Sequence, residues 1–152
     1  MGVDVVVETT IARPVAEVAA YAGDPSNAPE WYANITSVEW RTEPPVKVGS
    51  EMDFIARFLG RTLSYTYRVT ELVPGRRLVM ETAQGPFPMR TTYTWEPADG
   101  STRMTLQNAG SPAGFGRIAA PVMEAAMRRA TTKDLARLKA MLERNDGPTA
   151  AS

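Results

Sequence analysis

Hydrophobic and polar positions alternate through the middle of the chain. From about residue 35 to 108 one set of alternating positions is largely apolar or aromatic. It comprises Val38 and Trp40; Met52, Phe54, Ala56 and Phe58; Leu63, Tyr65, Tyr67 and Val69; Leu78 and Met80; Met89, Thr91, Tyr93 and Trp95; and Met104, Leu106 and Asn108. Between them stand Asp53, Arg57, Thr62, Ser64, Thr66, Arg68, Arg90, Thr92, Thr94, Glu96, Arg103, Thr105 and Gln107. A period of two with one apolar and one polar set predicts strands packed on one face of a sheet and wetted on the other. Leu59-Gly60, Pro74-Gly75, Gly85-Pro86 and Asp99-Gly100 break the runs at hairpin spacing, so an antiparallel meander is expected.

The two ends follow other rules. VDVVVETTI, residues 3–11, is rich in β-branched side chains and predicts a first strand. Pro14 then stands where the first turn of a helix tolerates it, and Val15, Val18, Ala19 and Ala22 make one apolar face before Asp24-Pro25 stops the helix. A loop fenced by Pro25 and Pro29 leads to the adjacent pair Trp31 and Tyr32. Beyond SPAGFG, residues 117–144 set Met123, Met127, Leu135, Leu138 and Leu142 at helical spacing, as expected of a long helix that covers the sheet. Pro121 disfavours an uninterrupted helix there. It predicts a separate turn or kinked lead-in from Gly114 to Ala120 that carries Phe115 as a flap. The polar NDGPTAAS, 145–152, reads as a flexible tail. The fold class is therefore α+β, in one domain spanning 3–144.

Composition narrows the function. The chain has 152 residues, 43% of them hydrophobic, enough for one domain with a real core. Lys plus Arg and Asp plus Glu both number 17, so no overall basic field exists to bind a phosphate backbone, and nucleic acid is not an expected partner. No apolar run approaches the roughly 18 residues of a membrane span. MGVDVVVETT lacks the charged start and apolar middle of a secretory leader, and Val6 stands where a myristoylation motif wants Ser or Thr. The expectation is a cytoplasmic protein with no stable membrane anchor.

Cysteine and histidine are both absent. That removes disulfides, thiol nucleophiles, ordinary zinc sites and the Ser-His-Asp triad, and leaves carboxylates, Tyr, Lys and Arg for acid–base work. Lys occurs only at 47, 133 and 139, and no carboxylate cluster suggests a metal, so neither metal nor cofactor is expected. SPAGFG lacks the fuller glycine patterns of a phosphate cradle. Arg76-Arg77 and Arg128-Arg129 read as solvated faces without the interleaved aromatics of a nucleic-acid platform.

The chain resembles the START-like (SRPBCC) superfamily, and within it the single-domain bacterial proteins of the polyketide cyclase/dehydrase and lipid-transport group. The resemblance spans residues 3 to about 144 and rests on four stretches. They are the opening strand running into IARPVAEV (11–18), DPSNAPEWY (24–32), YRVTELVPGRRLVMET (67–82), and GSTRMTLQNAG before the last helix. It implies a helix-grip fold: a curved antiparallel sheet of about seven strands wrapped on the C-terminal helix, with short helices after the first strand. It also implies an apolar cavity between sheet and helix, with Trp31 lining its end.

On that reading the inward Phe54, Phe58, Tyr65, Tyr67, Met80, Met89 and Tyr93 line a ligand cavity, with Met123 and Met127 from the helix and Phe115 from the flap. Met suits a wall that must fit flexible molecules. A buried phenol wants a hydrogen-bond partner, which makes Tyr65, Tyr67 and Tyr93 the polar anchors, and Asn108 adds a donor and an acceptor near the mouth.

The reading is therefore binding or carriage of a small to medium hydrophobic ligand, lipid-, polyketide- or isoprenoid-like, with a cyclase or dehydratase that uses those tyrosines as proton relays as the first alternative and a protein-partner module with a filled core as the second; a homodimer is compatible with any of them. The cyclases of the resembled family guide enolisation and aldol closure with inward polar groups. Here Arg57, Arg68, Arg90, Arg103, Asp53 and Glu81 all fall on the wetted parity, and only a bulge would turn one of them in. No catalytic residue is assigned. With no ionisable group at the inward positions, affinity for a non-titrating ligand is expected to be flat from about pH 5.5 to 8.5.

Overall fold

Residues 2–58, 60–85, 88–111 and 120–144 are described by a computed structural model, with the side chains at 58 and 120 left aside. Among the described residues, β1 (Val3–Ile11), β2 (Ile35–Trp40), β3 (Glu51–Phe58), β4 (Arg61–Val73), β5 (Arg77–Gln84), β6 (Met89–Ala98) and β7 (Ser101–Gly110) form one antiparallel sheet. Its spatial order is β1-β7-β6-β5-β4-β3-β2. Strands β2 to β7 meander in chain order, and β1 adds to the far edge by pairing with β7 from Val3↔Gly110 to Ile11↔Thr102. The Asp99-Gly100 turn has positive φ at both residues, 53° and 83°, so it is a two-residue hairpin turn whose twist matches the strands it joins.

The curl of the sheet has a local cause. Register shifts interrupt the β2–β3 pairing between Ile35 and Ser37, and the β4–β5 pairing between Thr66 and Tyr67 and between Val69 and Glu71. Such bulges bend a strand and increase its twist. The second one in β4 changes parity, so that Val69 and Leu72 both pack toward the core. None of the bulges turns an arginine inward: Arg57, Arg68, Arg90 and Arg103 remain exposed on the outer face. There Arg68 pairs with Glu51 at 2.6 Å, Arg41 with Asp53 at 2.7 Å and Arg90 with Glu81 at 3.3 Å. Thr66 and Thr92 share that outer parity yet are buried, in correction of the simple alternation. In the case of Thr66, its hydroxyl donates to Asp53 at 2.6 Å beneath the Arg41 side chain.

Three helices complete the fold. Helix α1 (Val15–Ala22) starts after Pro14, buries Val18, Ala19 and Ala22, and ends where the Gly23 N–H reaches the Ala19 carbonyl. A 3-10 turn (Pro25–Asn27) and the single turn of α2 (Ala28–Trp31) follow. The turn is opened by Asp24, whose side chain accepts from the Ser26 amide. The long α3 (Ala120–Arg144) lies in the grip of the sheet with Leu135, Leu138 and Leu142 buried. Pro121 sits in its first turn, where a missing N–H costs nothing. The lead-in before Ala120, with Phe115, and the tail after Arg144 fall outside the described residues. No described helix is long and apolar enough to cross a membrane.

Charged side chains of α3 fasten it to the free edge of β1. The Asp4 amide donates to Glu124 at 3.1 Å and the Ala12 amide to Glu143 at 2.8 Å. Arg128 donates to the Val6 carbonyl at 2.9 Å and Lys139 to the Thr10 carbonyl at 2.7 Å. An edge strand otherwise presents a row of unpaired backbone groups. Here three of them, and the Ala12 amide just past the strand, are satisfied by one helix.

Candidate functional site

The concave face of the sheet and the inner face of α3 enclose a cavity of about 150 Å³, which the described residues leave partly open. Its floor is aromatic. Phe54 stacks on Tyr65 with ring centroids 5.7 Å apart, and Tyr67 meets both edge-on, at 5.4 Å from Phe54 and 5.1 Å from Tyr65. Alternation along β3 and β4 puts these rings on one side, and Met80, Met89 and Tyr93 continue the wall across β5 and β6. Helix α3 closes it with Met123, Met127, Ala130, Thr131 and Asp134, while Tyr32, Asn34 and Ile35 form the lip.

Of the side chains singled out in the sequence, Phe54, Tyr65, Tyr67, Met80, Met89, Tyr93, Asn108, Met123 and Met127 meet around this cavity. Phe58 ends β3, and its side chain, like all of Phe115, falls outside the described residues. Trp31 is placed differently from expectation: it is fully buried in the core behind the cavity wall, and Tyr32 takes the position at the lip. The cause is local. Trp31 is the last residue of α2 and Tyr32 its extended cap, φ −85° and ψ 123°, so the two neighbours diverge. The Trp31 ring supports Tyr32 at 4.2 Å and Tyr93 at 5.9 Å, and its buried indole N–H has no partner among the described residues.

Polar groups enter the apolar wall as short strings. The hydroxyls of Tyr32 and Tyr93 are 2.6 Å apart, either able to donate. Tyr67 and Thr91 meet at 2.6 Å, and the Thr91 hydroxyl donates to the Asn108 side-chain oxygen at 2.6 Å. Since Thr91 has one proton and gives it to Asn108, Tyr67 must donate to Thr91. The Asn108 amide is then left as a donor at the end of the string. The Tyr65 hydroxyl has no partner among the described residues. Burial raises all four phenols above the ordinary tyrosine range, Tyr67 to about 12, so each keeps its proton at neutral pH and serves as a donor.

Among the described residues one carboxyl faces the cavity, and the strand pattern gave no sign of it. Asp134 is 4% exposed, and one of its oxygens accepts the Ala33 amide at 3.0 Å. Burial raises its pKa from 3.8 to about 6, against the lowering effects of the Ala33 amide and the Arg137 guanidinium. The expected flatness of binding between pH 5.5 and 8.5 is thereby corrected, because a wall carboxyl changes charge inside that window. Its position was available in the helical pattern: Asp134 lies seven residues after Met127 and four before Leu138, on the inward stripe of α3. No Lys or Arg side chain lines the cavity among the described residues, and none of them gather three potential metal-ligating side chains.

A curved antiparallel sheet gripping one long helix around such a cavity defines a helix-grip protein. The sequence matches the family described as polyketide cyclase/dehydrase and lipid transport over residues 2–143, and the chain belongs to that family. Solved structures of similar fold include the Zhui aromatase/cyclase from a Streptomyces species, at 18% identity and a TM-score of 0.79, with 95% of each chain covered. A major latex-like protein from Panax ginseng matches at 12% identity and a TM-score of 0.69, covering 95% of this chain and 97% of that one. A START superfamily protein from Mycobacterium smegmatis matches at 14% identity and a TM-score of 0.68, covering 93% and 95% respectively. No curated protein matches the sequence.

Proposed function

We propose that the protein binds a small hydrophobic molecule, one ring or a short chain in bulk, in the cavity between the sheet and α3. The observation that carries this reading is the wall itself: Phe54, Tyr65, Met80, Met89, Met123 and Met127 border open space instead of filling it. Native interiors are otherwise close-packed, and a large apolar void forfeits contacts unless something occupies it. A cavity near 150 Å³ accommodates an aromatic ring of benzene size, and flexible methionines on both walls let it adapt to something larger. Cytoplasmic location belongs to the same reading, as does the absence of a nucleic-acid role, which the balanced charge of the chain supports.

The test is native mass spectrometry of gently purified protein, followed by extraction and identification of any bound compound, with displacement of an environment-sensitive dye as a second measure. Saturable dye binding that apolar compounds reverse is the expected result. Indifference to a broad panel of aromatic and aliphatic compounds would leave a filled-core partner module as the better account.

Asp134 favours a second reading, acid–base catalysis on the bound molecule. A carboxyl raised to about 6 sits near the operating pH of a general base, whereas protonated phenols serve as donors to developing oxyanions. One solved neighbour of similar fold is named an aromatase/cyclase. Turnover abolished by Asp134→Asn, with apolar binding retained, would make this the better account.

A further inference from the structure

The cavity is electrically one-sided. Among the described residues its lining includes one carboxylate, Asp134, with no Lys or Arg to offset it. Donors reach the cavity from the Tyr65 hydroxyl, the free end of the Tyr67–Thr91–Asn108 string and the spare proton of the Tyr32/Tyr93 pair, beside the neutral side chains of Asn34, Thr82 and Thr131. Asp134 has one oxygen on the Ala33 amide, and its second oxygen has no hydrogen-bond partner among the described residues. A ligand can therefore complete the site by bringing a donor to that oxygen and an oxygen acceptor to the phenols and the Asn108 amide.

We infer that Asp134 acts as a charge filter, so that the cavity accepts hydroxyl-bearing, uncharged apolar molecules and rejects those with a carboxylate, fatty acids included. The inference rests on the ligand-binding reading above and names the chemical class that this site takes. A hydroxyl meets both needs at once, because its proton serves Asp134 and its lone pairs accept from the donors. A carboxylate would be desolvated without a counterion while facing a like charge in a medium of low dielectric.

The described groups around Asp134 do not remove the effect. Tyr32 and Tyr93 are neutral phenols, the Ala33 amide is a dipole, and Arg137, the one cation among the described residues that acts on Asp134, is exposed and donates to the Glu30 carbonyl at 2.8 Å. Because Asp134 gives up its charge near pH 6, the filter should weaken below that pH for acids that remain ionised there.

The test is a matched pair of probes on one ring system, 2-naphthol and 2-naphthoate, titrated by calorimetry against the full chain at pH 7.5 and pH 5. The expected result at pH 7.5 is at least tenfold tighter binding of naphthol. Asp134→Asn, which keeps an oxygen for the Ala33 amide, should cut that ratio by at least fivefold, chiefly by admitting naphthoate. Lowering the pH to 5 should cut the ratio for the wild-type chain and leave that of the variant nearly unchanged. Equal affinities in the wild-type chain, or a ratio that neither the substitution nor the pH alters, overturns the filter while apolar binding stands. Binding of neither probe overturns the ligand-binding reading and the filter with it.

Discussion

The hydroxyl groups of Tyr32 and Tyr93 meet at 2.6 Å, joining the lip that follows α2 to the centre of β6. The two residues are 61 positions apart in sequence, so the bond ties a loop whose own structure is only single turns to the rigid sheet. Removing one hydroxyl leaves the other buried without its partner, which costs about 1–2 kcal/mol. Tyr32→Phe and Tyr93→Phe should each lower stability by that amount in urea unfolding, and the double variant should be no worse than the sum less about 1 kcal/mol. Strict additivity would show that the two hydroxyls are not coupled.

Asp134 gives a stability signature with a definite sign. Its folded pKa, about 6, lies above its ordinary 3.8, so folding favours the protonated form. The contribution is fully present below about pH 4 and is lost as pH rises through 6. Asp134→Asn cannot ionise. The variant should match the wild-type chain near pH 4 and be more stable by about 1–2 kcal/mol at pH 8, allowing for partial solvent screening. Melting curves at both pH values check this, and a variant less stable at pH 8 than at pH 4 relative to wild type would reverse the sign.

Trp31 and Tyr65 should separate structure from binding. Trp31→Ala empties a fully buried position and should cost about 3–5 kcal/mol whether or not a ligand is present. Tyr65→Phe removes a hydroxyl that bonds to nothing among the described residues, so stability should stay within about 0.5 kcal/mol. Its effect should fall on affinity for oxygen-bearing ligands instead, by several-fold. A stability loss for Tyr65→Phe as large as that of Trp31→Ala would place its hydroxyl in the core network.

The α3–β1 fastening should be visible in amide exchange. Changing Glu143 to Ala removes the acceptor of the Ala12 amide, which should then exchange at least tenfold faster. The Val5 amide, on the residue paired with Asn108 inside the sheet, should be unaffected. Equal acceleration of both would mean that the whole edge opens together, not one bond.

The strands were legible because a sheet with one wet face writes its geometry into every second residue, from Met52 to Asn108. The Asp99-Gly100 turn was legible because few other pairs adopt positive φ at both places. The bulges in β4 were not read, although one of them leaves a mark: strict alternation beyond Val69 would set Glu71 inward and Leu72 outward, and the inward set was followed only to Val69. Trp31 was set in the cavity wall, and Tyr32 given no role, because a single helical turn leaves no periodicity to read. Asp134 escaped notice for a different reason: a search for inward charge that follows strand parity never inspects the helix, although the seven-residue spacing from Met127 points straight at it.

The charged fastening of α3 to β1 has a mechanical consequence. The four bonds from Glu124, Arg128, Lys139 and Glu143 lie along the β1 side, whereas across the cavity Met123 and Met127 touch Leu63 and Tyr65 through apolar contacts that have no preferred direction. The helix is thus built like a door hung on β1, with the line of charged bonds as its hinge and the methionine side as its free edge. Slight outward rotation about that line widens the cavity at the methionine end, away from the Ala33–Asp134 and Glu30–Arg137 bonds that tie the other half of α3 to the lip, so guest molecules should enter between α3 and β4. A disulfide joining position 127 to position 63 or 65 should slow entry and exit by at least tenfold, and one joining α3 to β1 should leave both rates as they are.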